Sequence, residues 1–335
     1  MSQLIKVKYP SNIALVKYWG KHGNQLPCNP SLSMTLSNAY TELNLELTAK
    51  KSDAIELDYF FEGAPKDSFR DRIVKYLTQQ PEFAELLKNY ALRVDSNNSF
   101  PHSTGIASSA SAFAAIAAAF LKASGKNTDF NQNASRLARL GSGSACRSFF
   151  GPYASWGQID EISGTSDEYA TPVVNIHDNF KTMRDAILIV EDTPKKVSSS
   201  VGHSLMKEHP FAEARFKQAR TNCLEMFSTL QSGDFDKFIS IVEREALSLH
   251  AMMMTSNDYY LLIKPGTVQV IEQIMQFRKD TRLPICFTLD AGPNVHLLYP
   301  STIKSDVQML IDDLSGVYLK NVIYDEIGTG GTIID

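Results

Sequence analysis

The sequence is sparing in cysteine, in net charge and in long apolar runs, and each scarcity argues against a class of protein. Its four cysteines, spread over 335 residues without Cys-x-x-Cys spacing, suit reduced thiols rather than a disulfide scaffold or a zinc site. No apolar run reaches transmembrane length, and the first residues lack the apolar core of a signal peptide. We therefore expect a cytoplasmic protein that does not bind a membrane.

The small net charge limits the partners further. A formal charge of −4, with 43% hydrophobic and 21% charged residues, describes an ordinary globular protein. Because no basic excess is present, nucleic acid is not expected as a partner. Any phosphate-rich ligand must instead be bound by a local cluster of cations. The length allows two domains of ordinary size, or one large domain.

What the chain does contain is a polar loop directly before an alanine-rich helix. The loop and helix start, residues 100–111, include Pro101, Gly105 and the paired Ser108 and Ser109. Such a loop offers free backbone N–H groups, the positive end of a helix dipole and hydroxyls that can bind phosphate or Mg²⁺. The alternative is a capped helix start without a ligand. A Walker A mechanism is excluded because no Gly-Lys-Ser/Thr follows.

Two further runs bring cations beside groups that suit an anion. Residues 11–21 combine Lys17 and Lys21 with Tyr and Trp, although core aromatics and solvated lysines would give the same pattern. Residues 139–148 combine two glycines and several serines with Arg147, which can bind a carboxylate or phosphate through two hydrogen bonds. The alternative for this second run is a helix end followed by a new cap.

One carboxylate and two more arginines complete the set of candidates. Asp290 ends the apolar strand predicted over 285–289 and begins a turn, where an Asx cap is the alternative. Arg70 and Arg72 belong to a helix predicted over 68–79, where a solvated helix face is the alternative.

The order of predicted elements indicates two units. Strands and serine-rich loops dominate up to about residue 184, and long helices over 207–231 and 235–254 follow. Two strands, a helix and a last strand over 321–327 then complete the pattern of a ferredoxin-like α+β domain. We expect one domain over 1–184 and a second over 185–335.

Taken together, these runs resemble the diphosphomevalonate decarboxylases, a family of the GHMP superfamily. Residues 100–111 are similar to the phosphate loop of the whole superfamily, whereas residues 17–21 and 290–294 match the family more selectively. The other matching runs are Ser31-Leu32-Ser33, residues 141–148 and residues 249–252. The matches keep the family's order over residues 8–330. One departure is His203, which stands where the family usually has Met.

The resemblance implies an α+β, GHMP-kinase-like fold with an N-terminal α/β phosphate-loop domain, a C-terminal ferredoxin-like domain and the active-site cleft between them. It also implies a homodimeric enzyme of the mevalonate pathway of isoprenoid biosynthesis. That enzyme would use ATP and Mg²⁺ to convert mevalonate 5-diphosphate to isopentenyl diphosphate, ADP, phosphate and CO₂. A phosphomevalonate decarboxylase or another GHMP small-molecule kinase is the alternative, although a 3-kinase would be expected to lack the Asp–Lys pair.

The same resemblance assigns catalytic roles. Asp290 would orient or deprotonate the 3-hydroxyl, and Lys17 would keep Asp290 ionised and balance charge on the transferring phosphate. Arg147 would hold the carboxylate or phosphate end of the substrate.

Ligand-binding roles follow in the same way. The ATP phosphates would lie on Gly105, Ala107, Ser108 and Ser109, with Ser108 also on Mg²⁺. The positions that match substrate-binding residues of the family are Tyr18, Lys21, Arg70, Ser142, Ser144, Arg147 and Ser199. Arg72 is the alternative to Arg70 for binding the substrate diphosphate.

Overall fold

Two mixed layers of sheet and helix make up the protein. The computed structural model describes residues 3–101, 106, 108–193 and 199–334. The strands are β1 (Gln3–Val16), β2 (Lys21–His22), β3 (Leu26–Pro27), β4 (Ser31–Ala49), β5 (Leu57–Phe61), β6 (Ala64–Pro65), β7 (Tyr90–Asn98), β8 (Tyr153–Trp156), β9 (Ala170–Pro172), β10 (Met183–Ile189), β11 (Cys286–Leu289), β12 (Val295–Pro300), β13 (Asn321–Glu326) and β14 (Thr332–Ile334).

The helices of the described residues surround these strands. The α-helices are α1 (Asp67–Thr78), α2 (Ala84–Asn89), α3 (Ser108–Ala123), α4 (Phe130–Gly141), α5 (Ser199–Leu205), α6 (Ala212–Ser232), α7 (Phe235–Thr255), α8 (Pro265–Thr281) and α9 (Lys304–Ser315). Short 3₁₀ helices span Pro81–Phe83, Gly143–Phe149, Asp178–Phe180, Met206–Glu208 and Ser301–Ile303. In the ranges that the structure describes, no helix is both long and apolar enough to cross a membrane.

The first sheet has the strand order β14-β1-β4-β7-β5-β6, with β8 paired to β4 and β9 paired to β8. Helix α3 packs on β1 and β4, and every residue from 113 to 121 of that helix is buried. Alanine has the highest helix propensity and a short side chain, so an alanine-rich helix forms readily and lies close to the sheet. Ser108 and Ser109 thereby lie in the first turn of a largely buried helix.

Strand β1 is longer than its sequence suggests. The pattern predicts a strand over 6–9 that stops at Pro10, but β1 continues to Val16. Its pairing with β4 shifts register between Pro10 and Asn12 and again between Ala14 and Val16. A proline is tolerated in a strand at such an irregularity because the ladder hydrogen bond is already interrupted there. The longer strand carries Lys17 to the boundary between the two sheets.

The second sheet confirms the predicted ferredoxin-like pattern. Its four strands have the order β11-β12-β10-β13, every neighbouring pair is antiparallel, and helices separate β10 from β11 and β12 from β13. Helices α8 and α9 cover one face of this sheet. After β13 the chain returns to the first sheet, where β14 pairs with β1, a crossing that the sequence analysis missed.

The two sheets share a buried core. Ile13 and Leu36 of the first sheet belong to the same apolar cluster as Ile187 and Leu298 of the second. The carboxylate of Asp325, on β13, accepts backbone N–H groups of residues 37–39 at 2.7–2.9 Å. These contacts join β13 to β4 and hold the two sheets together.

Candidate active site

An ammonium and a carboxylate meet where β1 and β11 end. Lys17 Nζ lies 3.3 Å from Asp290 Oδ1 and donates to the carbonyl oxygen of Ala14 at 2.6 Å. The Lys17 side chain is 2% exposed, whereas that of Asp290 is 23% exposed. Burial lowers the pKa of Lys17, and the negative charge of Asp290 partly opposes that effect. The Asp290 carboxylate is therefore partly accessible to solvent and is in contact with the buried amine of Lys17.

The backbone of the turn that follows β11 is fixed. The carbonyl oxygen of Asp290 accepts the N–H of Gly292 at 2.7 Å and lies 3.1 Å from Nε2 of His250, on α7. Because a carbonyl oxygen can only accept, Nε2 of His250 carries the hydrogen. The Asp290 carboxylate thus starts from a backbone held at a defined position.

A buried guanidinium lies close to this pair. Arg147, on the 3₁₀ helix Gly143–Phe149, donates to Ser33 Oγ at 3.1 Å and to Ser31 Oγ at 2.8 Å, and it is 2% exposed. Among the described residues, no carboxylate lies within ion-pair distance of Arg147. Burial lowers its pKa. A desolvated cation with hydroxyl partners alone gains from an anionic ligand, because charged groups are rarely buried without a counter-charge.

Aromatic rings form a wall beside Arg147. The Tyr18 ring lies 4.7 Å from Trp156 and 4.2 Å from His203. A Cβ at Gly143 would lie 2.8 Å from the Tyr18 ring, so a larger residue there would displace that ring. Burial raises the pKa of Tyr18, which keeps its phenol protonated and able to donate a hydrogen bond.

His203 is held in one tautomer at this wall. Its Nδ1 accepts the backbone N–H of Gly20 at 3.0 Å, which places the imidazole hydrogen on Nε2. Burial and the charges of Lys21 and Arg147 lower the pKa of His203 to about 3. The ring is therefore neutral near pH 7.

We expect His203 to make the protein less stable in mild acid. The unfolded chain would take up a proton below about pH 6.5, whereas the folded chain resists protonation down to about pH 3, so stability is lost as pH falls across that window. The melting temperature of wild type and His203→Gln should be measured from pH 7.5 to 4.5. The loss on acidification should be smaller in the variant, while replacing the exposed His22 with Gln should leave it unchanged. An equal change of melting temperature with pH in wild type and His203→Gln would contradict this expectation.

A second polar surface lies at the start of α3. Ser109 Oγ is 3.3 Å from Ser142 Oγ, and Arg72 Nη2 donates to the carbonyl oxygen of Gly141 at 3.1 Å. Burial, and next the positive charge of Arg72, lower the pKa of Lys21. The hydroxyls of Ser109 and Ser142 therefore lie together near the guanidinium of Arg72.

The structure separates the two arginine candidates on α1. Arg70 forms ion pairs with Asp67 at 3.0 Å and Asp71 at 2.9 Å, both on its own helix, so its charge is already balanced. Arg72 lies 4.5 Å from the centre of the Phe113 ring and reaches the residues before the serine-rich 3₁₀ helix. The geometry therefore favours Arg72 over Arg70 as a ligand-binding residue.

Asn12 connects β1 to this serine-rich segment, and the sequence analysis gave it no role. Its Nδ2 donates to the carbonyl oxygen of Ser144 at 3.2 Å and to Ser148 Oγ at 2.9 Å. Its Oδ1 is buried and has no hydrogen-bond partner within the described part of the chain. The position of Asn12 within the 11–21 run was the available signal, but its partners lie more than 130 residues away.

A cavity of about 330 Å³ opens beside Ser108 and Ser109. Aromatic rings and polar groups both line it, among them Tyr59, Phe61, Phe69, Lys66, Arg72, Ser96 and Asn98. An apolar pocket with a few polar groups suits a planar, partly polar ligand group. No sequence pattern indicated this pocket, because strands β5 and β7 and helix α1 contribute to it from separate parts of the chain.

Three of the predicted ligand positions cannot be placed. Gly105 and Ala107 lie outside the described residues, and so does the side chain of Ser199, although α5 begins at that residue. In the part of the chain that the structure describes, no group of three or more His, Cys, Asp or Glu side chains could hold a metal ion. A hydroxyl such as that of Ser108 still fits Mg²⁺, because this ion is commonly held by phosphate oxygens with few protein ligands.

Known proteins are similar to this chain over nearly its whole length. A family model described as diphosphomevalonate decarboxylase-like N-terminal domain matches residues 9–170. A second, described as mevalonate 5-diphosphate decarboxylase C-terminal domain, matches residues 186–328. The diphosphomevalonate decarboxylase of Saccharomyces cerevisiae is 31% identical over 330 residues, which cover 92% of this chain and 81% of that protein.

Solved structures are similar in fold as well. The mevalonate diphosphate decarboxylase from Staphylococcus aureus superposes with a TM-score of 0.88 at 30% identity, covering 100% of this chain and 99% of that one. A structure of MDDEF in complex with MVAPP, AMPPCP and magnesium gives a TM-score of 0.87 at 29% identity, with both chains fully covered.

Proposed function

This chain belongs to the diphosphomevalonate decarboxylase family, and from that premise we infer that it catalyses ATP-dependent decarboxylation of mevalonate 5-diphosphate. The products are isopentenyl diphosphate, ADP, phosphate and CO₂, and ATP is used with Mg²⁺. The observation that carries this function is the contact of Lys17 with Asp290 beside the buried Arg147. This contact supports the proposal because a carboxylate, an amine and a guanidinium are available there for a base, a charge-balancing group and an anion-binding cation.

Each group has a role that its surroundings support. The Asp290 carboxylate orients the 3-hydroxyl of the substrate and accepts its proton. ATP supplies the phosphoryl group that makes this tertiary hydroxyl able to leave. Lys17 favours the ionised form of Asp290 and offsets negative charge next to it. Arg147 binds the anionic end of the substrate, and its buried guanidinium has no carboxylate partner among the described residues to compete with that anion.

The remaining polar groups divide between the two substrates. The cavity beside Ser108 and Ser109 accepts the nucleotide, with its phosphates against the start of α3 and Mg²⁺ on Ser108. The substrate diphosphate lies against hydroxyl and amine groups of a second set, which comprises Tyr18, Lys21, Arg72, Ser142, Ser144 and Ser199. Arg72 takes the place in this set that the sequence analysis gave to Arg70.

The function is tested by following all products together. Purified protein is incubated with Mg²⁺-ATP and mevalonate 5-diphosphate, and ADP, CO₂ and isopentenyl diphosphate are quantified, with mevalonate and its 5-phosphate as parallel substrates. Equal yields of the three products from the diphosphate alone would support the assignment. ADP without CO₂ would instead indicate a kinase that stops at the phosphorylated compound, and preferred use of the 5-phosphate would indicate a phosphomevalonate decarboxylase.

Arg72 and Arg70 give a matched pair of variants on one helix. We expect Arg72→Gln to raise KM for mevalonate 5-diphosphate about 10- to 150-fold, since one charge-assisted hydrogen bond is worth about 1.5–3 kcal/mol. Arg70→Gln should leave KM within about twofold, because that guanidinium is paired to Asp67 and Asp71. Steady-state kinetics with saturating ATP measures both constants. A larger effect on KM at Arg70 would assign the substrate contact to Arg70 instead.

Three organisational features are proposed on the same basis. The domain boundary is placed between residues 184 and 185, close to the start of β10 at Met183, although β14 returns to the first sheet. The family resemblance supports a homodimer. The scattered cysteines, which form no disulfide within the described residues, support a cytoplasmic location. Light scattering after size-exclusion chromatography would test the dimer, which predicts twice the chain mass of 37.2 kDa.

A further inference from the structure

A buried ion pair from two helices of the second unit contacts the peptide of Lys17. Arg215, on α6, donates to both carboxylate oxygens of Glu245, on α7, at 3.0 and 2.5 Å. Asn222 Nδ2 also donates to Glu245 Oε1 at 2.5 Å. The side chains of Arg215 and Glu245 are 1% and 0% exposed. The pair is therefore fully removed from solvent, and both of its members form hydrogen bonds with the Lys17 peptide.

Both polar groups of the Lys17 peptide depend on side chains. Strand β1 ends at Val16, so Lys17 lies beyond the ladder that satisfies the backbone of the strand. Its N–H donates to Glu245 Oε2 at 2.8 Å. Its carbonyl oxygen accepts from Asn29 Nδ2 at 2.9 Å and from Arg215 Nη2 at 3.4 Å. The two members of the ion pair thus hold opposite ends of the residue whose Nζ contacts Asp290.

This arrangement is poorly explained as a device for stability. Moving two charges out of water costs more than their attraction returns unless every donor and acceptor is satisfied. Arg215 Nε is buried and has no hydrogen-bond partner within the described residues. An apolar pair of similar volume would fill this core at lower cost, whereas only charged groups can bind an N–H and a C=O strongly and in a fixed direction.

We propose that the Glu245–Arg215 ion pair is a positioning device, which fixes the Lys17 peptide and thereby aims Nζ at Asp290. The proposal rests on the proposed function, because it assigns Glu245 and Arg215 to the same site without contact to substrate. Displacing the peptide would move Nζ relative to the carboxylate, and a misplacement of this kind about 1 Å in size can cost ~10²-fold in rate.

The charges around Lys17 give this proposal a second readout. Asp290, beyond β11, and Glu245, from α7, raise the pKa of Lys17, whereas burial and Arg147, from the 3₁₀ helix, lower it. Arg215, from α6, reaches the carbonyl oxygen of Lys17 and brings a further positive charge close to it. Neutralising Glu245 therefore removes one of the two negative charges that favour the protonated form of this buried amine.

The experiment compares three variants of the full chain. Glu245→Gln removes the charge, and Glu245→Asp keeps the charge but shortens the side chain by one methylene. Glu243→Gln is the matched control, since Glu243 lies on the same helix and pairs with Arg278 but has no contact with Lys17. For each variant we measure kcat, KM for ATP, the pH profile of kcat and melting temperature. The pKa of Lys17 is followed by NMR of ¹³Cε-labelled lysine, assigned with Lys17→Arg.

The expected results separate positioning from stability. Both Glu245 variants should lower kcat about 10- to 100-fold with KM for ATP within about twofold. Glu245→Gln should also lower the pKa of Lys17 and shift the basic limb of the kcat profile to lower pH, and Glu245→Asp should shift neither. Glu243→Gln should lower the melting temperature without changing kcat or the profile. If Glu245→Gln does not fold, Asn222→Ala, which removes one hydrogen bond from Glu245, should show a smaller fall in kcat.

The contrary results are equally specific. Glu245 variants that keep wild-type kcat would overturn the proposal, as would a Glu245→Gln variant with an unchanged Lys17 pKa and a kcat profile identical to that of Glu243→Gln. The NMR titration needs no substrate, so it reports on Lys17 even if the wild-type protein fails to form isopentenyl diphosphate. A wild-type protein without decarboxylase activity would count against the proposed function. An active wild-type protein whose Glu245 variants keep the normal kcat and Lys17 pKa would count against the positioning role alone.

Discussion

Replacing Asp290 with asparagine is expected to reduce turnover by ~10³-fold or more, while nucleotide affinity stays within about twofold of wild type. Asparagine keeps the shape of the side chain but can neither accept a proton nor carry a negative charge. Lys17 would then lie buried without its carboxylate partner, 3.3 Å away in the native structure. Both the proton acceptor and the charge balance of the site would be lost in a single substitution.

Rapid-quench and steady-state assays of ADP and CO₂ formation measure this change, and fluorescence titration with a nucleotide analogue measures binding. Asp313→Asn, at an exposed position on α9, is the control for the change of charge and should behave like wild type. If Asp290→Asn forms ADP at the normal rate but no CO₂, Asp290 acts only after phosphoryl transfer. Normal formation of both products would remove Asp290 from the mechanism.

Replacing Arg147 with lysine is expected to lower kcat/KM for mevalonate 5-diphosphate by about 10²- to 10³-fold, although the positive charge is kept. A guanidinium can bind a carboxylate or phosphate through two parallel hydrogen bonds, whereas an ammonium is a compact point charge. Lysine could not donate to Ser31 and Ser33 in the fork geometry of Arg147 and also reach an anion. Substrate binding should weaken and the reactive group should be less well oriented.

The control for Arg147→Lys is Arg93→Lys, since Arg93 is exposed and pairs with Asp95 on the same strand. We expect that control to keep kcat/KM within about twofold, because exposed ion pairs contribute little. Titration calorimetry with the substrate separates binding from catalysis. An Arg147→Lys variant with unchanged affinity and a reduced rate would place Arg147 in the chemical step alone, and an unchanged kcat/KM would show that this guanidinium does not touch the substrate.

Lys17 and Asp290 could be proposed from sequence because each lies beside a local signal. Asp290 follows a strand pattern, Lys17 lies among aromatic residues, and both belong to runs selective for one family. The choice between Arg70 and Arg72 could not be made that way. Two residues apart on a helix differ by about 200° in direction, and only the position of α3 decides which of them faces the site.

Other features were missed because they depend on pairings distant in sequence. Glu245 lies within a helix that was predicted correctly, but a carboxylate there is indistinguishable from a solvated one until Arg215 and the Lys17 peptide, 30 and 228 residues away, are placed beside it. Strand β14 has only three residues, too few for an alternating pattern to be recognised, and it forms because β1 offers an unpaired edge.

The return of β14 to β1 has a consequence for synthesis of the protein on the ribosome. Residues 6–8 pair with residues 332–334, so one edge of the first sheet stays open until residues 332–334 have been translated. At rates of about 5–20 residues per second, that exposed edge persists for roughly 15 seconds or more. During this interval the open edge of β1 can pair with a strand of a neighbouring nascent chain. Pairing of β14 with β1 then covers that edge.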